Sequence, residues 1–166
     1  MSPLTYSTQL GLNAPTAVIQ TVVRQQEKKI KMQKQLWRNR WLNCLNELTS
    51  IELQKSSWLD KSNTNPHWSY VEFMCSYFDD LVIDNNYEEK LKTGYISKEE
   101  YLIIKDWHIK LDEYNEPNGD CDNREAILKD ENWLQIVNEG FRIRKKLDSF
   151  LSSKEIEILN NKSEYK

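Results

Sequence analysis

The sequence predicts an all-α protein, a single-domain helical bundle of five to seven helices. Gly and Pro each occur only four times among 166 residues, so the turn residues that a β-rich fold needs are scarce. Apolar residues recur every three or four positions, and no stretch shows the strict alternation of a half-exposed strand. Six Trp, eight Tyr and four Phe supply a core despite a mean hydropathy of −0.77.

The chain length fits one domain. We assign residues 1–13 to an irregular leader, 14–160 to the helical domain and 161–166 to a frayed C-terminus. The chain shows neither a secretory signal nor an apolar run long enough to span a bilayer, so we expect a cytoplasmic protein with no membrane partner. Its three cysteines lack the spacing of a disulfide framework or metal site. We expect Cys44 and Cys75 to be buried as small apolar side chains.

The first half of the chain predicts two long helical stretches. The first covers about residues 15–55, because Pro15 suits a first turn and a single apolar face runs from Trp37 to Ile51. A loop follows over 56–65. The second helix, at about 66–83, is apolar around most of its circumference and therefore belongs at the centre of the bundle.

The second half predicts shorter helices with clear start signals. Ser97 and Glu100 have the spacing of a capping box. The stretch 115–122 is the clearest turn in the chain. We predict the remaining helices over about 98–114 and 131–151, with short helices near 84–90, after Asp122 and after Ser152.

Charge is segregated along the chain. Residues 1–50 carry a net charge of +5, residues 51–139 a net charge of −11 and residues 140–166 a net charge of +3. Many of the acids lie in two loop-rich stretches, one from Asp79 to Glu89 and one from Asp112 to Glu131. We call residues 79–89 the first acidic segment and residues 112–122, the start of the longer stretch, the second acidic segment. If the flanking helices pack together, the two segments meet at one end of the bundle and attract a basic partner. The alternative is a solvated surface that the basic termini fold back to balance.

We therefore predict a protein-binding surface that uses the carboxylates of both segments and a tyrosine from each as an anchor. The predicted set is Asp79, Asp80, Asp84, Tyr87, Glu88, Glu89, Asp112, Glu113, Tyr114, Glu116, Asp120 and Asp122.

No catalytic or metal-binding motif stands out, and we predict a protein that is not an enzyme and uses no cofactor or metal. Neither histidine belongs to a metal-binding pair of the HExxH or ExxH type. The 115–122 turn also lacks the spacing of a calcium loop. An alternative is a small-ligand-binding or hydrolytic bundle protein that uses His67, Glu72 and His108.

A second alternative is a nucleic-acid-associated helical protein that uses the basic stretch 24–40. Aromatic rings among cations bind single-stranded nucleic acid, and Trp37 and Trp41 close this stretch. Both rings nevertheless share a helix face with Leu45 and Leu48, so core packing explains them better. The net charge of −3 also argues against general nucleic-acid binding.

Residues 57–81 carry a resemblance to a known class of protein. Their features are Trp58–Leu59–Asp60, Asn65–Pro66–His67–Trp68 and Tyr77–Phe78–Asp79–Asp80. The segment resembles small immunity proteins of bacterial polymorphic-toxin systems, including contact-dependent growth inhibition. The resemblance implies a single-domain cytoplasmic protein that binds and blocks a cognate toxin, often a basic nuclease, and it assigns no catalytic residue.

Overall fold

The computed structural model describes residues 16–62, 68–83 and 87–161, with side chains from Val18 onward. The chain divides into two compact units, Met1–Lys34 and Gln35–Lys166, which are described separately. The predicted leader, 1–13, and the last five residues lie outside the described part. The prediction of one domain over 14–160 stays a prediction.

The described residues form eight α-helices and no strand, which confirms the all-α class. None of these helices combines the length and apolarity that crossing a bilayer requires. The helices are α1 Thr16–Leu48, α2 Ile51–Leu59, α3 Tyr70–Phe78, α4 Glu88–Lys92, α5 Lys98–Asp112, α6 Arg124–Ile127, α7 Glu131–Leu147 and α8 Ser153–Leu159, with 3-10 turns at Pro117–Gly119 and Asp148–Phe150.

The sequence prediction places the end of α2 too early. A loop was expected from residue 56, but the helix continues to Leu59. The reason is Trp58, which is buried against Tyr70, Phe73 and Trp133, with ring centroids 5.6–6.0 Å apart. Polar neighbours obscured this tertiary contact in the sequence.

The first unit is helical over its described residues, 16–34. Residues 18–33 are exposed throughout, and this includes the four apolar side chains nearest the start of the helix. Val18, Ile19, Val22 and Val23 are 50–56% exposed.

The second unit has an aromatic core in which α5 packs directly on α7. Trp107 of α5 is fully buried and donates its indole N–H to the Ile136 carbonyl at 2.9 Å. Gly140 of α7 lets the helices approach, since a Cβ there would stand 2.4 Å from Thr49 Cγ2 and 2.8 Å from Trp107 Nε1. Position 140 therefore requires glycine, because any other residue would add a Cβ atom there.

A charged cluster around Arg38 joins separate parts of the second unit. The guanidinium donates to both carboxylate oxygens of Glu100, at 2.7 and 3.1 Å, to Glu155 at 2.7 Å and to the Tyr95 carbonyl at 3.0 Å. Glu100 is only 3% exposed and also accepts from the Ser97 backbone in the predicted capping box. The cluster therefore satisfies a buried carboxylate.

The cysteine prediction is half right. Cys44 is buried, and burial raises the pKa of its thiol. Cys75 is exposed, contrary to the expectation. It lies two residues from both Phe73 and Tyr77, which are buried, so the helical period turns it toward the opposite face of α3.

Glu47 makes folding pH-dependent. It is half-buried, and burial raises the pKa of its carboxyl from 4.5 to about 7, an effect that Arg40 partly opposes. The folded state then binds more protons than the unfolded state between these values, so stability falls as pH rises through that window. We expect Glu47→Gln to leave the thermal midpoint unchanged at pH 4 and to raise it by about 2–4 °C at pH 8. Calorimetry of both proteins across pH tests this, and a difference that does not grow with pH would contradict it.

Candidate partner-binding surface

The second acidic segment follows directly from α5. The eleven residues from Asp112 to Asp122 contain five acids and no basic residue. Glu113 caps the helix through its backbone N–H, which donates to the Ile109 carbonyl at 2.9 Å. The acids are therefore placed at the end of a fifteen-residue helix that packs on α7.

Local turn chemistry fixes the path of this segment. Asn118 and Gly119 adopt φ of 58° and 67°, the left-handed region that these two residue types tolerate best. The Asp120 carboxylate accepts from the Asp122 backbone N–H at 3.1 Å, and Asn123 caps α6 by accepting from the Ala126 N–H. These short-range bonds limit the conformations open to the segment.

Two side-chain bonds attach the segment to the bundle. Tyr70 donates its hydroxyl to Glu116 at 2.7 Å, and Tyr114 donates to Asp130 at 2.9 Å. Burial and then the bond to Glu116 raise the pKa of Tyr70, so this hydroxyl stays a donor. Glu116 is half-buried and serves as a structural acceptor rather than as a free surface charge.

Four carboxylates of the segment are available to a partner. All four are exposed, and none forms an ion pair with the part of the chain that the structure describes. They are Asp112, Glu113, Asp120 and Asp122.

A shallow groove of about 380 Å³ lies between the end of α5 and the first half of α7, and Glu113 is the one of these four acids that lines it. Tyr114 and Ile136 supply apolar surface, and Glu113 lies on its rim. Lys110 and Glu139 also line it and pair with each other at 2.7 Å. Tyr114 is half-buried, so its predicted role as an anchor is limited to the part of its ring that lines the groove.

Of the four described acids of the first acidic segment, one is tied to the fold by an ion pair. Asp79 and Asp80 are exposed, but Asp80 pairs with Arg40. Glu88 and Glu89 are exposed in the first turn of α4. Asp84 lies outside the described residues.

The prediction that Tyr87 anchors a partner is wrong. Its side chain is fully buried, and its hydroxyl accepts from the Trp41 indole N–H at 2.9 Å and hydrogen-bonds to Tyr77. The ring packs 5.0 Å from His108 between centroids. A surface position was predicted because acidic residues follow Tyr87 in the sequence. No local signal in the sequence indicates that Tyr87 is buried.

Helix α3 separates the start of the first acidic segment from Glu116 of the second. The expectation that the two segments meet at one end of the bundle stays a prediction. Tyr70, in the first turn of α3, bonds Glu116, whereas Tyr77, near the end of α3, contacts Trp107 at 5.8 Å between centroids. The first segment begins with Asp79, directly after α3. The nine residues of α3 span about 13 Å, so this helix separates the start of the first segment from Glu116.

Of the three side chains proposed for an alternative ligand site, the structure shows the hydrogen-bond partner of His108. His108 is buried, and its Nδ1 lies 3.2 Å from the Tyr77 hydroxyl. Burial lowers the pKa of His108, an effect that Asp112 opposes, so burial disfavours the charged form of the ring. Glu72 is half-buried, and His67 lies outside the described residues. Among the residues that are described, no group of His, Cys, Asp and Glu is arranged to hold a metal ion.

The aromatic residues of the basic stretch belong to the core of the second unit. Trp41 is fully buried and stacks on Trp37 at 5.9 Å. Trp37 donates its indole N–H to the Leu81 carbonyl at 2.9 Å. This confirms the core interpretation of the two rings and leaves the basic stretch without a stacking platform made from them.

No protein-family model matches the chain, no curated protein is similar to it, and no solved structure matches it. The resemblance of residues 57–81 to immunity proteins therefore stays a prediction. The charges and geometry of the second acidic segment are the features from which a function can be proposed.

Proposed function

We propose that the chain is an immunity protein that binds a cognate, basic bacterial toxin through the second acidic segment and neutralises it. The observation that carries this proposal is the set of four exposed carboxylates at Asp112, Glu113, Asp120 and Asp122, which have no ion pair within the described structure. Such a surface accelerates encounter with a cationic partner. The proposed role needs no catalytic residue, cofactor or metal.

The fixed turn supports tight binding. Ordering a flexible loop on association costs free energy, and a segment already held by its own turn bonds and by the Tyr70–Glu116 hydrogen bond avoids part of that cost. The adjoining groove offers Tyr114 as an apolar contact among the charges. A specific complex on this surface would bury about 1,200–2,000 Å² in total.

Inhibition follows from charge complementarity. Carboxylates set against the Lys, Arg or His side chains of a nuclease occupy the positions that substrate phosphates would take. The same contact made beside the active site blocks the path of the substrate instead. In both cases the toxin loses access to its substrate without a chemical step on the immunity protein.

Neutralising the four carboxylates tests the proposal. The variant Asp112→Asn, Glu113→Gln, Asp120→Asn, Asp122→Asn is expected to bind the toxin encoded by the neighbouring reading frame at least about tenfold more weakly at low salt, mainly through a slower association rate. Interferometry at low and high salt measures both rates. In cells, the variant should protect less well against that toxin.

A matched control separates this surface from net charge. Glu52, Glu99, Asp106 and Glu157 are also exposed, and replacing them with the corresponding amides changes the net charge by the same amount. This control should bind and protect nearly as the natural protein does. Equal loss in both variants would show that general charge is responsible, and no loss in either would refute the surface.

The first acidic segment provides a second comparison. Neutralising Asp79, Asp80, Glu88 and Glu89 in a folded variant tests the original prediction that both segments contribute. If this variant loses protection and the variant of the second acidic segment does not, the binding surface lies on the first acidic segment instead.

A further inference from the structure

The described residues of the first unit expose an apolar face. Thirteen large apolar side chains are exposed in the described residues, and six of them lie between residues 18 and 32. Such concentration on a single helix segment marks an interaction surface rather than scattered exposure. The six are Val18, Ile19, Val22, Val23, Ile30 and Met32.

Four of the six, Ile19, Val22, Val23 and Ile30, share one face of the helix, whereas Val18 and Met32 lie off it. Three of these four lie in a seam of the kind that pairs helices. Ile19 and Val23 are four residues apart, and Ile30 follows seven residues later. Gln26 and Gln33 occupy the remaining positions of a repeat whose steps alternate between four and three residues. β-Branched residues suit the layers of a two-helix seam. Three of the four cations in residues 18–33, Arg24, Lys28 and Lys31, lie on the opposite face, about 100–180° away around the helix.

The composition of the seam favours a protein helix over a lipid surface. Helices that lie in a membrane interface usually present Trp, Phe or Leu, whereas this face presents Val and Ile. Gln26 and Gln33 would be buried in lipid without partners, but a facing helix gives them neighbours. Lys29 also interrupts the edge of the face.

We propose that two copies of this chain pair through residues 18–33, with the two helices antiparallel. In this register Ile19 of one copy faces Ile30 of the other, and Val23 faces Gln26. Lys29 then lies over Val22, where its aliphatic stem covers apolar surface. A parallel pair would instead set Lys29 of one copy beside Lys34 of the other, which is a repulsive contact. This proposal is independent of the acidic surface on the second unit.

The size of the seam sets the expected strength. Residues 18–33 span about 24 Å of helix, which is a short contact for a helix pair, whereas stable interfaces bury about 1,200 Å² or more. We therefore expect a dimer that forms at micromolar concentration and is diluted into monomers at lower concentration.

Sedimentation equilibrium of the full chain between about 1 and 200 µM tests the pairing, at high salt to suppress attraction between opposite charges. We expect a reversible dimer in the natural protein. Ile19→Gln together with Val23→Gln should weaken it at least tenfold. Leu102→Gln is the matched control, because Leu102 is 53% exposed on a different helix. Circular dichroism verifies that all variants remain folded.

The outcomes separate the occupants of the seam. A monomer at every concentration would overturn the proposal, as would a dimer that the seam variant leaves unchanged. A monomer that instead binds phosphatidylglycerol vesicles, and loses that binding in the seam variant, would assign the face to an anionic lipid surface.

Disulfide trapping tests the orientation. Ile19→Cys and Ile30→Cys are each placed in a background where the exposed Cys75 and Cys121 are Ser. Mixing the two variants under mild oxidation should crosslink Ile19→Cys to Ile30→Cys. Crosslinks formed mainly within each variant alone would indicate a parallel pair and overturn the proposed arrangement.

Discussion

Replacing Arg38 with Met is expected to lower the free energy of unfolding by about 3–5 kcal/mol. The Arg38 guanidinium is the charged partner of Glu100, which is 3% exposed. Without Arg38, the Glu100 carboxylate must remain buried as an unpaired charge or take up a proton, and both outcomes destabilise the folded state. The bonds to Glu155 and to the Tyr95 carbonyl are lost as well. Urea denaturation measures the effect.

Arg40→Met provides the control for this variant. It makes the same substitution two residues away on the same helix, where Arg40 pairs with Asp80 and both side chains are about half exposed. Exposed ion pairs contribute about 1 kcal/mol or less, so a small loss is expected. Replacing Arg38 and Glu100 together by apolar residues should cost less than Arg38→Met alone. Equal losses of unfolding free energy in Arg38→Met and Arg40→Met would show that the buried ion pair contributes no more to stability than the exposed one.

Replacing Gly140 with Ala is expected to destabilise the fold by about 1–3 kcal/mol, although alanine is the better helix former by about 1 kcal/mol. The added methyl carbon would lie 2.4 Å from Thr49 Cγ2 and 2.8 Å from Trp107 Nε1. Trp107 is held by its bond to the Ile136 carbonyl, so it has little freedom to withdraw. Thermal and urea unfolding measure the loss.

A second substitution relieves part of this clash. Thr49→Ser removes the Cγ2 methyl group and keeps the hydroxyl that donates to the Leu45 carbonyl and accepts from Arg144. The double variant should therefore recover part of the stability lost in Gly140→Ala. Asn138→Ala, at an exposed position of α7, is the control for helix propensity and should be neutral or stabilising. A Gly140→Ala protein as stable as this control would refute the close-packing argument.

The helices were predictable from the sequence because their signals are local. Apolar spacing placed Trp41 in the core, and the capping spacings at Ser97–Glu100 and Ser152–Glu155 are both realised as capping boxes. Each of these signals involves residues within one or two helical turns. The end of α2 was placed too early because the distant contacts of Trp58, rather than a local signal, hold its last turn. The helix predicted at about 66–83 is shorter in the structure, Tyr70–Phe78.

The candidate surface was less predictable because exposure depends on distant contacts. Tyr87 stands among acids in the sequence, yet its hydroxyl meets Trp41, forty-six residues away. Arg144 lies in the last turn of α7, where a basic side chain favours the helix end. It is nevertheless buried, donating to Thr49 and to the Leu159 carbonyl. Pairings across such separations leave no trace in local composition.

The two indole hydrogen bonds made by α1 bear on which changes in chain length the fold tolerates. Trp37 holds the Leu81 carbonyl and Trp41, one turn later, holds the Tyr87 hydroxyl. The stretch between those points is thus fastened at both of its ends. Lengthening a loop whose ends are fixed costs only about 0.6 kcal/mol for each doubling. A change of length between the buried Ile83 and Tyr87 would therefore leave both of these attachment points in place.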